Sequence, residues 1–279
     1  MTQDLINELK TVACKARKLI VEMLISAGCG HPGGALSSIE LMTALYFDVM
    51  KIDPDNPTWE ERDRFILSKG HSSIGLYSIL HLNGFMDKET LLTFRQDSST
   101  LCGHPDMHKV AGIEMSTGSL GHGLSVGAGM AWAAKFDQKA HRTFVLMGDG
   151  ETQEGSIWEA AMFASHHKLD NLVGIVDRNM IQIDGCTEDI LALEPYGSKW
   201  EAFGWHVIEI DGHDFTQILA CLREVSRVAG KPTLVLANTV KGKGISFMEN
   251  NPAWHGGGLK GELAEIALNE VNAALVEDK

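Results

Sequence analysis

Apolar positions along this chain follow two different periods. Over residues 3–27 they recur every three or four positions, at Leu5, Leu9, Val12, Ala16, Ile20, Met23 and Leu24, which predicts an amphipathic helix ended by Gly28 and Gly30. Residues 144–147 and 172–176 are short apolar runs without alternation, the pattern of parallel strands buried on both faces. Between them Ile157, Ala160, Ala161 and Ala164 share one helical face, with Thr152 as the expected N-cap and the helix ending near His167. Residues 143–185 are thus a β-α-β unit, and the rest of the chain is organised around it.

The remaining pattern adds a helix over about 37–50, capped by Ser37 or Ser38 with Glu40, and strands over 206–210 and 233–237. A helix over about 215–228 lies between those strands, and a last helix over 259–277 carries Leu263, Ile266, Ala267, Val271 and Ala274. The segment Gly30-His31-Pro32-Gly33-Gly34 reads as a loop that excludes helix. The expected class is α/β, a single domain over residues 1–279 with a mainly parallel sheet and helices on both faces.

In a β-α-β unit both strands point their carboxyl ends at one crevice, so Asp149, in Gly148-Asp149-Gly150, and Asn179 meet there. A carboxylate, an amide oxygen and a backbone carbonyl suit a hard cation such as Mg2+, which completes its shell with phosphate oxygens and water. Flanking glycines allow close approach, and the helix that follows is expected to aim free N–H groups at an anion. Three histidines, His31, His71 and His104, each sit beside glycine, in Gly30-His31-Pro32, Ser68-Lys69-Gly70-His71 and Gly103-His104-Pro105. Such rings can project from tight backbone into a cleft and trade protons near neutral pH. His81, His108, His141, His166, His167 and His206 lack this context and read as surface or satisfied core residues.

Taken together, the Gly-Asp-Gly-to-Asn arrangement and the glycine-flanked histidines resemble the thiamine-diphosphate motif of the transketolase family. The resemblance runs along nearly the whole chain and implies the three-layer thiamine-diphosphate-binding fold. It implies that Asp149, the side chain of Asn179 and the carbonyl of Ile181 bind Mg2+, and that Gly150 lies against the diphosphate. His71, helped by Lys69, and Lys241, from Lys241-Gly242-Lys243-Gly244, would touch the diphosphate, as would His255 of Trp254-His255-Gly256. His31, His104 and His255 would handle the sugar, while Lys243 is expected to face solvent. The loop 116–123 would bring backbone atoms of Gly118, Ser119 and Leu120 to the thiamine; His122 stands where family members usually have Gln. The small residues after it, Gly127, Ala128, Gly129, Ala131, Ala133 and Ala134, would suit a packed subunit interface.

A full-length transketolase is more than twice as long and continues into a pyrimidine-binding and a C-terminal domain. The resemblance therefore implies one subunit of a split enzyme, inactive alone and completed by a second chain in an α2β2 assembly. Glu154 matches a family position near the subunit contact rather than the glutamate that activates the aminopyrimidine ring. The expected activity is transfer of a two-carbon ketol unit from a ketose, phosphorylated in the leading reading, to an aldose. The alternatives are the α subunit of a 2-oxo acid dehydrogenase and a non-catalytic cofactor-binding subunit. A magnesium-dependent nucleotide hydrolase is disfavoured by the lack of a GxxxxGK[ST] sequence.

Composition narrows the partners. With 279 residues, 44% hydrophobic and 22% charged, the chain reads as a soluble globular protein. A net charge of −13 argues against nucleic acid and anionic membranes. No apolar run spans a bilayer and the start, MTQDLINELK, has no signal-peptide pattern, so a cytoplasmic location is expected. Cys14, Cys29, Cys102, Cys186 and Cys221 are scattered without a CxxC pair, as expected for reduced thiols.

Overall fold

The computed structural model describes residues 2–183 and 185–277. The expected bounds 1–279 also take in Met1, Asp184, Asp278 and Lys279, which lie outside the described residues. Helices α1 (Gln3–Ala27), α2 (Pro32–Ser37) and α3 (Ile39–Ala44) lead to β1 (Arg64–Leu67). Then come α4 (Ser73–Leu82), α5 (Lys88–Leu91), α6 (His122–Phe136), β2 (Thr143–Gly148), α7 (Gly155–His166) and β3 (Leu172–Arg178). A two-stranded hairpin, β4 (Ile181–Gln182) and β5 (Gly185–Cys186), precedes α8 (Thr187–Ile190) and α9 (Tyr196–Ala202). The chain ends with β6 (His206–Asp211), α10 (Phe215–Val225), β7 (Thr233–Asn238) and α11 (Gly261–Glu277).

The main sheet has five strands in the order β1-β2-β3-β7-β6, every pair parallel. Alternate residues of each strand feed two separate cores. Phe65, Leu67, Phe144, Leu146, Val173 and Ile175 join the cluster built with α1, α3, α4 and α10. Ile66, Val145, Met147, Val176, Leu234 and Leu236 join the one built with α6, α7 and α9. Helices therefore cover both faces, which makes the expected three layers.

Several local expectations are corrected. Pro32-Gly33-Gly34 is not a helix-excluding loop but opens α2, with Pro32 in the first turn, where its missing N–H costs nothing. The expected helix 37–50 is broken at Ser38 and finishes as a π-helical turn over Leu45–Val49. Neither serine caps it. Ser37 and Ser38 bond back to the Gly34 carbonyl at 3.1 and 2.9 Å, and Glu40 pairs with Arg17 at 2.6 Å. Thr152 is not the N-cap of α7; a 3-10 turn (Gly150–Gln153) intervenes and Glu154 takes that place. Helix α10 stops at Val225 and α11 starts at Gly261.

Part of the small-residue stripe of α6 is consumed inside the domain. A Cβ on Gly127 would stand 2.5 Å from Val145, so this helix lies unusually close to its own sheet. No disulfide joins the five cysteines, and among the described residues no helix is long and apolar enough to cross a membrane.

Leu146 is fully buried in β2 with strands on both sides. Leu146→Ala is expected to cost about 2–5 kcal/mol in urea unfolding. A loss under about 1 kcal/mol would contradict the assignment of β2 to the packed centre.

Candidate functional site

Strands β2, β3 and β7 deliver their carboxyl ends to one side of the sheet, and there a cavity of about 390 Å3 opens. Its lining includes Asp149, Asn179, Ile181 and Lys241 as well as His31, His71 and His255. The rings of His31 and His71 lie 5.4 Å apart, those of His31 and His255 5.6 Å, and those of His71 and His255 5.1 Å. His104 sits beside them, 6.4 Å from His31. Gly118, Leu120, Gly150 and Glu154 also line the cavity, while Ser119 is exposed next to it.

Beneath the cavity a buried carboxylate gathers four chain segments. Asp177, with no exposed surface, accepts hydrogen bonds on Oδ2 from Ser37 at 2.6 Å, Lys69 at 2.7 Å and Asn179 Nδ2 at 2.9 Å. Its Oδ1 accepts from Thr239 at 2.5 Å. Burial alone would raise the Asp177 pKa, but the Lys69 charge and the bonds from Lys69, Ser37 and Thr239 outweigh it and hold the carboxyl below its usual range.

This placement corrects one expectation. The Lys69 ammonium has three donors, and they go to Asp177, the Gly34 carbonyl at 2.6 Å and Ser38 Oγ at 3.0 Å. None is left for a diphosphate, so Lys69 acts from behind the cavity.

With its amide nitrogen tied to Asp177, Asn179 turns its oxygen the other way, where it accepts from Ile181 N at 3.2 Å. Asp149 is 2% exposed and accepts from Gly150 N at 2.7 Å and Met180 N at 2.5 Å. Burial, aided by Asp177, pushes its pKa up to about 6. A cation beside it would relieve that penalty. The Ile181 carbonyl already carries one, the Lys241 ammonium at 2.8 Å. The donors here are all oxygen, a set suited to a hard cation. Among the described residues no three His, Cys, Asp or Glu side chains converge as a metal cage.

The expected free N–H groups after Asp149 are not free. Gly150 N bonds the Asp149 side chain and Thr152 N the Asp149 carbonyl. Nearby, buried Glu151 accepts from Gly121 N and Gly148 N, each at 3.0 Å, and from Ser68 Oγ. Positive charge comes instead from Lys241, which donates to Ile181 and lies 3.1 Å from His255 Nδ1. Burial pulls the Lys241 pKa down to about 8, and burial with the Lys241 charge pulls His255 down to about 4. His71, His31 and His104 are lowered as well, first by burial. Neutral rings therefore face the cavity, able to accept as well as donate hydrogen bonds. Lys243 does not simply face solvent: it lies 3.4 Å from Glu249.

The residues that match a family model are 9–272, and that family is described as transketolase, thiamine diphosphate binding domain. The chain belongs to the transketolase family. It is 48% identical to the A chain of the two-subunit apulose-4-phosphate transketolase of Phocaeicola vulgatus, over 92% of both sequences. Identity is also 48% to a 6-deoxy-6-sulfo-D-fructose transketolase subunit of a Clostridium species, over 91% of this chain and 93% of that one. Human transketolase is 38% identical over 99% of this chain, which spans only 44% of its length. The transketolase structure from Campylobacter jejuni superposes with a TM-score of 0.90 at 34% identity, covering 100% of this chain and 46% of that one. The three-layer architecture is thus that of the thiamine-diphosphate-binding fold, and in extent the chain corresponds to the subunits of split enzymes rather than to a full-length transketolase.

Sequence reasoning missed His213, Glu40 and Arg17, which pack behind the 239–244 segment. Glu40 entered only as a helix cap and His213 carried no glycine signature.

The lowered histidines give a pH signature. Unfolded His takes up a proton near pH 6.5, whereas folded His255 waits until about 4, so in that window the unfolded state binds more protons and stability falls with pH. Asp149 and Glu151, both raised, act in the opposite sense. Comparison at one site isolates the histidine effect: His255→Asn is expected to lose less stability than wild type between pH 6.5 and about 4, read from urea midpoints. Parallel profiles would contradict it.

Proposed function

We propose that this chain is the diphosphate-binding subunit of a two-chain transketolase, using thiamine diphosphate and Mg2+ to move a two-carbon ketol unit from a ketose to an aldose. The observation that carries the reading is one cavity with an oxygen-donor set and a lysine at one end and four neutral histidines at the other. Asp149, Asn179 Oδ1 and the Ile181 carbonyl would hold the metal. Lys241, His71 and His255 would bind the diphosphate, with Gly150 beside it. Backbone atoms of Gly118, Ser119 and Leu120 would lie along the thiamine.

The cofactor, when bound, supplies a carbon nucleophile and an electron sink for breaking the carbon–carbon bond. The protein's part is positioning and proton handling. His31, His104 and His255 would bond the sugar hydroxyls and, being neutral, could accept a proton from one and return it to another. Lys241 would offset the diphosphate charge in a protein whose net charge is −13.

A second chain with the pyrimidine-binding and C-terminal domains would complete the site, in an α2β2 assembly located in the cytoplasm. Supporting this, α6 and α7 show solvent an apolar cluster in which Phe136 is 75% and Met162 55% exposed. Trp132 stacks on Phe136 at 5.7 Å, and Phe163 lies 4.4 Å from His167. Glu154 is exposed at the start of α7, near this face. The named relatives favour a ketose carrying a terminal phosphate or sulfonate. No observation favours the 2-oxo acid dehydrogenase or non-catalytic readings.

Reconstitution tests this. Ketol transfer from a ketose phosphate is expected only when the chain, its partner, thiamine diphosphate and Mg2+ are all present. Asp149→Ala is expected to lower kcat/KM by more than about 100-fold. Turnover without thiamine diphosphate, or by the chain alone, would overturn the proposal.

A further inference from the structure

Residues 239–244 follow β7 as turns without regular structure, yet they carry two contacts of the site. Thr239 donates to Asp177, and Lys241 reaches the Ile181 carbonyl. The backbone of this segment is held from behind by a closed ring of polar contacts. Val240 N donates to His213 Nε2 at 2.9 Å, and His213 Nδ1 lies 3.1 Å from Glu40 Oε2. Glu40 Oε1 accepts from Arg17 Nη2 at 2.6 Å, and Arg17 Nε donates back to the Lys243 carbonyl at 3.1 Å.

The chemistry of this ring leaves little freedom. A backbone N–H can only donate, so His213 Nε2 must be bare and the ring proton must sit on Nδ1, pointing at Glu40. Flipping the imidazole would put carbon atoms where both nitrogens now bond. Burial alone would raise the Glu40 pKa, but the Arg17 charge and the His213 hydrogen bond hold it below the usual value, so it remains an acceptor. Arg17 and Glu40 are 9% and 6% exposed, and none of the three side chains lines the cavity.

We infer that His213 is a positioning residue for cofactor binding: it fixes Val240 and thereby the placement of Thr239 and Lys241, while Arg17 and Glu40 fix His213. The inference rests on the reading of Lys241 as a diphosphate contact. It assigns function to a histidine that never touches the ligand.

Two variants of the full chain test it. In His213→Gln the terminal amide oxygen can occupy the Nε2 position and accept from Val240; His213→Leu offers no acceptor. Amide hydrogen exchange without ligand should accelerate about 10-fold over 239–244 in His213→Leu, the size expected for one lost hydrogen bond, and return to within about 3-fold of wild type in His213→Gln. Titration of thiamine diphosphate with Mg2+ should show Kd raised about 10-fold in His213→Leu and restored in His213→Gln, with kcat of the assembled enzyme at saturating cofactor changed less than about 3-fold.

A merely structural His213 would instead show faster exchange spread across α3 and α10 and a fall in kcat without rescue by Gln. Wild-type exchange at Val240 in His213→Leu would also overturn the inference, and that reading requires no ligand. Failure of the wild-type chain to bind thiamine diphosphate, alone and with its partner, would overturn the cofactor site itself and with it this role for His213.

Discussion

The buried pair between Lys69 and Asp177, 2.7 Å apart with side chains 2% and 0% exposed, is the interaction on which the site depends. Two charges removed from water are tolerated only where every remaining donor and acceptor is satisfied. That demand dictates the neighbourhood. Ser37 from α2, Asn179 after β3 and Thr239 after β7 are all drawn to one carboxylate, and Lys69 ties the segment after β1 to α2. Chain segments far apart in sequence thereby meet at one end of the sheet. The same bond that satisfies Asp177 orients the Asn179 amide, leaving its oxygen for the cavity. Glu151 does a parallel task nearby, joining Ser68, Gly121 and Gly148.

The electrostatics of the cavity are local and oppose the global charge. The chain carries a net charge of −13, yet the cavity gathers an ammonium and histidines held neutral by burial and by one another's positive neighbours. Lys69 is neutralised by Asp177, so Lys241 is the cation that faces the cavity. This division separates a lysine that builds the site from one that can meet a ligand. His213 and its partners extend the same logic one layer outward, holding the backbone that presents Lys241.

Much of this was legible in the sequence because it follows from period and topology. Apolar runs without alternation marked β2 and β3, a helical stripe marked α7, and parallel strands must bring Asp149 and Asn179 to the same edge. Local signals failed where tertiary packing overrode them. Pro32-Gly33-Gly34 looks like a breaker, but a Cβ on Gly33 would stand 2.8 Å from the Trp254 carbonyl, so glycine there serves close packing within a helix. Strand β1 is only four residues long and escaped notice. Long-range polar partners were invisible: Glu40 and His213 are 173 positions apart, and neither has a local motif. Lys69 was recognised as important for the wrong reason, since sequence shows that a lysine is present but not whether its donors are already taken.

The central claim is that Asp177 aims the oxygen of Asn179 at a cation shared with Asp149 and the Ile181 carbonyl. Anomalous diffraction from crystals grown with Mn2+ and thiamine diphosphate tests it most directly. The account predicts one strong peak about 2.1 Å from an Asp149 oxygen, Asn179 Oδ1 and the Ile181 carbonyl, with the Asn179 nitrogen still on Asp177. A peak elsewhere in the cavity, or an Asn179 turned away from the metal, would contradict it.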